Sequence, residues 1–515
     1  MARSPMELLV WGVLSSASLA AVVPVAQPVI TPPPTLDERA LERLQQRGLD
    51  DVGSYLGSVF SSLGTGVSSF IASGVPQYFN DLPTGTRVES SLGISSTDVA
   101  ASPTLALNVP PYANWTDQGW NVRIHGNIYK RPNISSSKLD DLTNVFLIDT
   151  SVSDLPTSQA DQARNLTSEI YVLQQDNEQV TINFVNDVTV NPDTDSGAIN
   201  AAGGSQNITM PYNTTAEGDF DSFVILKNTT GANETGYLLP GNETDHIQLL
   251  NVYVEGAAET GNATAYLVPE TGITIISDID DILRITKIWD PKEGLLNSFA
   301  RPFTPWLNMP EIYANWSKSI DNLHFHYLTT TPEQVTKNYM DFIYKTYPLG
   351  SFDTRPLNFS DVAATLAIRK HLLYKVFQTF PRRKFILMGD TSNFDVMGDY
   401  PELVTEFPDQ VQCIFLRNSS STDSTDIFPY DTKHFKGLNQ SQYMFFNVPD
   451  DLKGLDIVNG ECYNSSVQEN VTFSEQGLPF GLSKDSAANG LETPSWRRTI
   501  GFGAGLALMM MAMCS

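Results

Sequence analysis

From residue 271 onward, short apolar runs alternate with longer stretches whose apolar residues recur at helical spacing. The short runs predict buried strands and the longer stretches predict helices. The strands are expected at Ile273–Ile276, Phe325–Leu328, Phe385–Met388 and Val411–Leu416, and the helices near Pro332–Tyr344, Asp361–Phe380 and Tyr400–Phe407. Strands that alternate with helices form parallel sheets, so residues 271–475 are predicted to be a doubly wound α/β domain.

Residues 100–270 show a different pattern, in which short apolar or alternating segments are separated by turn residues. The segments are Trp120–Ile124, Val180–Phe184, Phe223–Leu226 and Ile247–Val254. This spacing favours an antiparallel β-sandwich. The stretch 191–242 is rich in Gly, Asn, Thr and Asp, and it is expected to form long loops of this β-rich domain.

Residues 21–99 are predicted to be a linker with one amphipathic segment. They contain three prolines at 32–34 and helical spacing over 36–47, and residues 51–79 alternate Gly or Ser with apolar residues. A helix on a membrane surface fits this pattern, and so do a helix docked on the next domain and a mobile linker.

Both ends carry patterns typical of targeting signals. Residues 1–20 hold Arg3, an apolar run and a small-residue cleavage site at Ser18–Ala20, which predicts a secretory signal peptide. An uncleaved anchor is the alternative, although the run is shorter than the roughly 20 residues that span a bilayer.

At the other end, residues 476–498 contain three small residues beginning at Ser486 and then a polar spacer, and residues 499–515 form an apolar tail. This order predicts a glycosylphosphatidylinositol (GPI) anchor attached at Ser486. A C-terminal membrane helix is the alternative. The protein is therefore expected to be secreted and held at the cell surface by a lipid anchor.

Asn-x-Ser/Thr sequences occur fifteen times between the two terminal signals. Each is an acceptor for N-glycosylation in an exported chain. The acceptors are Asn114, Asn133, Asn165, Asn207, Asn213, Asn228, Asn233, Asn242, Asn262, Asn315, Asn358, Asn418, Asn439, Asn464 and Asn470. This enrichment supports export.

The chain has 515 residues, so two folded domains are expected. Its formal net charge of −26 argues against nucleic acid as a partner, because such binding depends on Lys and Arg. The same charge repels an anionic membrane surface, so an anionic lipid would need a local basic site. Nothing in the sequence indicates an obligate protein partner.

Three cysteines are present, at Cys413, Cys462 and Cys514. Cys514 lies in the tail that is predicted to be removed. In an oxidising compartment this leaves one possible intrachain disulfide, between Cys413 and Cys462. Two buried free thiols are the alternative.

Three acidic residues, Asp278, Asp280 and Asp281, follow the first predicted strand of the α/β domain. Carboxylates this close repel one another unless a cation neutralises them. Mg²⁺ is commonly held by one or two carboxylates and a substrate phosphate. Such a pair at a strand end also suits one acid that attacks and one that transfers protons. A helix N-cap or an acidic turn is the alternative for this triplet alone.

Polar residues also follow the other predicted strands. Thr329–Thr331 precede a predicted helix, whose first turn favours an anion. Asp390 and Asp395 follow the third strand and are candidate metal ligands. The helix before that strand holds Arg369 and Lys370, and one of its cations is expected to reach a bound phosphate. Since the carboxyl ends of parallel strands meet at one edge of a sheet, these residues predict one site.

The same residues carry a specific resemblance over roughly residues 270–420. Ile275–Asp281 resembles the first motif of the actin-patch phosphatidate phosphatases, which belong to the haloacid dehalogenase-like superfamily. Similar motifs of that family are matched by Phe325–Pro332, Lys384–Thr391 and Cys413–Arg417. Ile282 departs from the usual threonine, and the second motif has threonines where serine and asparagine are common. Neither change removes a reacting group.

The resemblance implies a haloacid dehalogenase-like fold and a role for each site residue. It implies Asp278 as the nucleophile, Asp280 as the general acid/base and Thr329 as the hydroxyl that orients the phosphate. It also implies Mg²⁺ as the cofactor, held by Asp278, by Asp280 through its carbonyl and by Asp390, with Asp395 as a further ligand.

The family's phosphate-binding cation leaves two candidates in this chain. Lys370 is expected, and Arg369 is the alternative. The implied activity is Mg²⁺-dependent hydrolysis of phosphatidate, or a related lipid phosphate, to diacylglycerol and phosphate through an aspartyl-phosphate. A cell-surface phosphatase for soluble phosphomonoesters and a non-catalytic surface glycoprotein are the competing hypotheses.

Overall fold

The computed structural model describes residues 96–467, apart from 145, 148, 186–204, 216, 228–246, 258–261, 288–290, 356–361, 420–432 and 436. The predicted signal peptide, GPI attachment at Ser486 and apolar tail lie outside these residues, as does almost all of the predicted linker. None of the helices within these ranges is long and apolar enough to cross a membrane.

The first part of the described chain is rich in strands, as predicted. The strands are β1 (Thr104–Asn108), β2 (Tyr112–Thr116), β3 (Gly119–Lys130), β4 (Leu173–Gln174), β5 (Thr181–Val185), β6 (Ser205–Thr209), β7 (Asp219–Leu226), β8 (Gln248–Val254) and β9 (Asn262–Leu267). Along β7, Phe220, Val224 and Leu226 are buried while Asp221 is exposed, which is the alternation of a half-buried strand.

These nine strands form one hydrogen-bonded sheet, and this corrects the predicted sandwich of two sheets. Its main path runs β1-β3-β2-β9-β8-β5-β6, and β4 and β7 also pair with β3. All pairs are antiparallel except β2 with β9. Residues from distant positions in this order, such as Ala106, Ile182 and Phe220, share one apolar cluster, so the sheet curves around a common core.

Three helices of this region were not predicted as helices from the sequence. They are α1 (Ser96–Ala101), α2 (Ser136–Asn144) and α3 (Thr157–Ile170). In α3 the buried side chains include Ala160, Ala163, Leu166 and Ile170, which recur every three or four residues. The helical period was therefore present, although alanine contributes a weak apolar signal.

The second part of the described chain is a parallel sheet with helices between its strands, which confirms the predicted α/β class. The strands are β10 (Ile273–Ser277), β11 (His324–Pro332), β12 (Ser351–Arg355), β13 (Lys384–Asp390), β14 (Val411–Arg417) and β15 (Tyr443–Phe446). The helices are α4 (Pro291–Phe299), α5 (Met309–Ser319), α6 (Glu333–Thr346), α7 (Val362–Thr379) and α8 (Phe394–Glu406). Short 3₁₀ turns lie at Val152–Asp154, Lys433–Phe435, Gln440–Gln442 and Pro449–Leu452.

The strand order of this sheet is β12-β11-β10-β13-β14-β15, and every neighbouring pair is parallel. The strand β10 lies in the middle and is buried along its whole length. This explains its continuous apolar run, since a strand covered on both faces has no polar side.

The two sheets pack closely on each other. The backbone N–H of Phe352 on β12 donates to the carbonyl of Pro110, at 2.9 Å. The Tyr112 ring lies 5.5 Å from His326 and 5.7 Å from Phe380, measured between ring centroids. The β-rich region therefore packs on the part of the parallel sheet that includes its edge strand β12.

The predicted disulfide is present. Cys413 on β14 is bonded to Cys462, with the two Cα atoms 5.3 Å apart and a sequence separation of 49. Both side chains are buried in the core of the parallel sheet. The bond ties the C-terminal segment to an inner strand.

Candidate active site

Asp278 and Asp390, two of the predicted site residues, lie at the carboxyl edge of the parallel sheet. Ser277, the last residue of β10, pairs with Tyr327 on β11 and with Met388 on β13. Asp278 therefore lies between the ends of these strands, and its backbone N–H donates to the carbonyl of Met388 at 2.9 Å. Asp390 ends β13, where it pairs with Arg417 at the end of β14.

Gly389 is required by the close packing of a helix on the strand. It lies within β13. A Cβ atom at this position would lie 2.7 Å from Cγ1 of Val396 and 3.3 Å from the Tyr400 ring, both on α8. Any larger residue would therefore push α8 away from the sheet and displace Asp390 beside it.

Asp278, the predicted nucleophile, is 2% exposed and has donors on both carboxylate oxygens. Its Oδ1 accepts from the N–H of Ile279 at 2.9 Å and lies 3.4 Å from Nη2 of Arg369. Its Oδ2 accepts from Nδ2 of Asn393 at 3.2 Å. Burial raises the pKa of Asp278, while Arg369 and these hydrogen bonds act to lower it.

Asp280, the predicted general acid/base, is held through only one of its oxygens. Oδ1 accepts from the hydroxyls of Thr286, at 2.6 Å, and Tyr339, at 3.1 Å, and lies 3.5 Å from Nε of Arg284. Among the described residues no donor bonds to Oδ2. Burial raises the pKa of Asp280 to about 6, against the lowering effect of Arg284 and Thr286.

Asp281, the third acid of the triplet, closes the turn that follows β10. Its backbone has φ = 54°, in the left-handed region that Asp tolerates better than most residues. Its Oδ1 accepts from the N–H groups of Thr286 and Lys287, at 3.0 and 2.8 Å. The guanidinium of Arg417 donates to its carbonyl and stacks on Trp306, with Cζ 4.2 Å from the ring centroid. The acidic-turn interpretation therefore holds for Asp281.

Asp390 is also oriented through one oxygen. Oδ2 accepts from the hydroxyl of Ser419 at 2.8 Å and from both the N–H and the hydroxyl of Ser392. Its Oδ1 is buried, and no described residue donates to it. Burial raises the pKa of Asp390 to about 7, and the nearby Asp281 and Asp278 carboxylates add to this effect.

These acids suit a hard divalent cation. Asp390 keeps one buried carboxylate oxygen to which no residue in the described part of the chain donates, and the Asp281 and Asp278 carboxylates add negative charge beside it. Within the same ranges, no group of three or more His, Cys, Asp or Glu side chains is arranged to hold a metal. A site of two carboxylates with a backbone carbonyl and phosphate oxygens, the usual protein environment of Mg²⁺, does not need such a group.

Thr329, the predicted phosphate-orienting hydroxyl, is fully buried near the end of β11. Its Oγ1 accepts from the N–H of Thr331 at 3.1 Å. Helix α6 begins just after this strand, at Glu333. The hydroxyl thus lies at a helix start, as the sequence indicated.

The basic helix α7 places Arg369, and not Lys370, beside the predicted nucleophile. Lys370 extends to the other side, where its ammonium contacts Glu402 and lies 3.9 Å from Glu406. Arg369 is fully buried. The geometry therefore favours the alternative, Arg369, as the cation that lies near Asp278.

Asp395 lies in the first turn of α8, and its side chain is not among the described ones. Asp399, one helical turn later, lies near Lys370 and Glu402, and burial raises its pKa to about 7. The structure therefore places Asp390 at the end of β13, and metal binding by Asp390 and by Asp395 stays a prediction.

The predicted glycan acceptors differ in exposure. Exposed side chains are found at Asn133, Asn165, Asn207, Asn213, Asn262, Asn315 and Asn439, and partly buried ones at Asn114 and Asn464. Asn418 is 1% exposed and follows β14 beside the site, so a folded chain has no room for a glycan there. Asn228, Asn233, Asn242, Asn358 and Asn470 lie outside the described residues.

Several residues of the site were missed in the sequence. Asn393 and Ser392 follow β13, so the strand-end rule was a usable signal for them. Ser419 follows β14 in the same way. Thr286 and Tyr339 carry no such signal, because their contact with Asp280 depends on how a turn and a distant helix pack.

Comparison with known proteins supports the predicted resemblance. Residues 273–418 match the family model described as the catalytic domain of phosphatidate phosphatase APP1. Phosphatidate phosphatase APP1 of Saccharomyces cerevisiae is 26% identical over 217 residues, which are 40% of this chain and 37% of that protein. An uncharacterised protein of Schizosaccharomyces pombe is 25% identical over 228 residues, 39% of this chain and 36% of its own length.

The chain thus spans little more than a third of the length of these relatives. Among solved structures, a sialyltransferase from Photobacterium damsela has 12% identity and a TM-score of 0.17, and covers 40% of this chain and 34% of its own. That score is too low to inform the fold. The sequence matches show that residues 273–418 are similar to an APP1-type catalytic domain.

Proposed function

We propose, from the APP1-type catalytic domain at residues 273–418, that this protein is a phosphatase that hydrolyses phosphatidate or a related lipid phosphate to diacylglycerol and phosphate. The observation that carries the proposal is the buried set of Asp278, Asp280 and Asp390 at the carboxyl edge of a parallel sheet, with Arg369 beside Asp278. The similarity to the phosphatidate phosphatase of yeast supports phosphatidate as the substrate.

We also propose that the domain has the haloacid dehalogenase-like fold. The support is topological, since β10 lies in the middle of six parallel strands and is followed directly by the first acid. Ligands of doubly wound sheets bind beyond the carboxyl ends of the strands, which is where Asp278 and Asp390 lie.

In this proposal Mg²⁺ is held by the carboxylates of Asp278 and Asp390, by the carbonyl of Asp280 and by phosphate oxygens. When bound, it neutralises negative charge on the phosphoryl group. The buried Asp390 carboxylate, with a raised pKa and one oxygen to which no described residue donates, supports a site that is completed by a cation.

The chain's own residues then divide the reaction between them. The carboxylate of Asp278 attacks phosphorus in line and forms an aspartyl-phosphate, while Arg369 faces the transferred phosphoryl group. Asp280 gives its proton to the leaving alkoxide as the P–O bond breaks. The same carboxylate then takes a proton from the water that attacks the aspartyl-phosphate, and Asp278 is regenerated.

Phosphate release by the purified full chain tests the proposal. Three substrates should be compared, namely phosphatidate in mixed micelles, glycerol 3-phosphate and p-nitrophenyl phosphate, each with Mg²⁺ and with excess chelator. We expect Mg²⁺-dependent release that is fastest with phosphatidate. Preference for glycerol 3-phosphate would favour a phosphatase for soluble monoesters, and no release from any of the three would contradict a catalytic function.

We further propose that the chain is exported, glycosylated and held at the cell surface by a GPI anchor. The order of small residues, spacer and apolar tail after residue 485 supports the anchor, and the seven exposed acceptor asparagines fit an exported chain. Phosphatidylinositol-specific phospholipase C should release the protein from intact cells. Peptides from residues 506–515 in the mature protein would argue for a membrane helix instead.

A further inference from the structure

The carboxyl group of Asp280 is anchored asymmetrically. Two hydroxyls, from Thr286 and Tyr339, donate to Oδ1 at 2.6 and 3.1 Å. The other oxygen, Oδ2, is buried and has no donor among the described residues. A carboxyl group that is held in this way presents one defined oxygen to a ligand.

The two donors come from separate parts of the fold, and each is itself fixed. Thr286 lies in the turn after β10, where its N–H donates to Asp281 at 3.0 Å and its carbonyl accepts from Asn297 at 3.0 Å. Tyr339 lies on α6. Its ring packs against Phe303, with the ring centroids 5.3 Å apart.

Arg284 completes the surroundings of the same oxygen. Its Nε lies 3.5 Å from Oδ1 of Asp280, and its Cζ lies 4.8 Å from the Tyr339 ring centroid and 3.8 Å from that of Phe303. The side chain is fully buried and its Nη2 donates to the carbonyl of Asn297 at 3.1 Å. Arg284 and Phe303 pack closely around these hydroxyl donors. The donors therefore cannot move to follow a rotation of the Asp280 carboxyl group.

We infer that Thr286 and Tyr339 are positioning residues that fix Oδ2 of Asp280 as the oxygen that exchanges the proton. This inference rests on the proposed function. As the P–O bond to the leaving group breaks, the proton moves from Oδ2 to the alkoxide oxygen, and Asp280 is left as a carboxylate bonded to both hydroxyls. A misplacement of a catalytic group by about 1 Å can lower the rate by about 10²-fold. The two hydroxyls therefore contribute to the rate by holding Oδ2 in position.

The leaving group separates this role from a merely structural one. An alkoxide needs a proton as it leaves, whereas p-nitrophenolate, a weak base, leaves with little help. Thr286→Val and Tyr339→Phe keep the shape of each side chain but remove its donor. We expect kcat/KM for an alkyl phosphomonoester or phosphatidate to fall about tenfold or more, and kcat/KM for p-nitrophenyl phosphate to change less than about threefold.

Two further variants complete the experiment. Thr286→Ser restores the hydroxyl, so it should recover most of the alkyl-ester activity. Tyr344→Phe removes a hydroxyl from the same helix that donates to the carbonyl of Gly350, at 3.0 Å, and kcat/KM for both substrates should stay unchanged. Thermal denaturation of each variant checks that the fold is intact.

Equal losses with both substrates, or no loss with either, would overturn the positioning role while leaving phosphatase activity in place. Failure of the proposed function looks different, because the unchanged chain would then hydrolyse neither ester. A variant that loses its fold is replaced by Thr286→Ala, for which the same dependence on the leaving group is expected.

Discussion

Arg123, on β3 of the N-terminal sheet, forms a buried ion pair with Asp353 on β12, the edge strand of the parallel sheet. The two side chains are 1% and 0% exposed. Arg123 also bonds to Asp221 through Nε and Nη2, at 3.2 and 3.1 Å. The β-rich region therefore supplies the charge that balances an acid inside the α/β domain, so the two regions depend on each other for stability.

Arg123→Met should destabilise the whole protein strongly. It leaves the buried Asp353 carboxylate without its main counter-charge, which typically costs about 3–5 kcal/mol. Urea denaturation measures the loss. Arg164→Met is the matched control, because Arg164 is 31% exposed and pairs with surface acids, so its loss should be within about 1 kcal/mol.

The double variant Arg123→Met/Asp353→Asn tests the cause of that loss. It removes the unpaired charge, so it should be more stable than Arg123→Met alone. A double variant that loses the sum of both single effects would show that Arg123 acts through packing and not through Asp353.

Acid should destabilise the protein through His125 in the same interface. Burial, with help from Arg123, lowers the pKa of His125 from 6.5 to about 4. Between those pH values the unfolded chain binds a proton at this imidazole and the folded chain does not, so stability falls as the pH falls from about 6.5 to 4. The lowered pKa of Asp353 adds a loss in the same direction at lower pH.

His125→Gln should therefore flatten the dependence of Tm on pH between 6.5 and 4. The measurement is a series of thermal melts across that range for both proteins. The Tm of His125→Gln at pH 7 does not test this prediction, because Gln also loses packing contacts that the imidazole makes. The test is the change of Tm with pH. Parallel curves for the two proteins would show that other groups cause the acid lability.

The strands and helices were predictable where apolar residues form a regular pattern along the chain. They were not predictable where a buried polar residue is neutralised by a partner that is distant in sequence. The continuous apolar runs of β10, β13 and β14 identified the parallel sheet directly. By contrast, β12 has the polar sequence Ser-Phe-Asp-Thr-Arg, which does not predict a strand. Its Asp353 can be buried because it pairs with Arg123, more than 200 residues earlier in the chain. No local pattern records such a partner.

The site shows the same division. The acids Asp278, Asp280 and Asp390 were predictable, since strand ends are visible in the sequence and carboxylates are conspicuous there. The choice between Lys370 and Arg369 was not, because it depends on the rotation of α7 about its axis. Adjacent helical residues point about 100° apart, so an error of one position reverses the assignment.

Arg369→Met should therefore impair catalysis far more than Lys370→Met. Arg369 Nη2 lies 3.4 Å from Asp278, whereas Lys370 contacts Glu402. Removal of a donor that faces developing charge typically costs about 10²–10³ in kcat. Steady-state phosphate release measures both variants, with thermal melts to confirm folding. The reverse ranking would restore Lys370 as the phosphate-binding cation.

The disulfide should contribute to stability without contributing to catalysis. Cys413 and Cys462 close a loop with a sequence separation of 49, and a native disulfide of this kind typically contributes about 2–4 kcal/mol. Replacement of both residues by alanine should lower the urea midpoint, while kcat of the folded variant stays close to that of the unchanged chain. Two freely alkylatable thiols in the mature protein would contradict the pairing.

Asp278→Asn and Asp280→Asn should fail in different ways. Asp278 is the proposed nucleophile, and its amide cannot form an aspartyl-phosphate, so kcat should fall by about 10⁴ or more for every substrate. Asp280 transfers protons, and general acid–base catalysis typically contributes about 10²–10⁴-fold to the rate. The fall in kcat of Asp280→Asn should therefore be smaller with p-nitrophenyl phosphate than with phosphatidate. Phosphate release with both substrates measures this, and acid-quenched protein from Asp280→Asn should retain labelled phosphate that Asp278→Asn lacks. An Asp278→Asn protein with the turnover of the unchanged chain would falsify the assignment of Asp278 as the nucleophile.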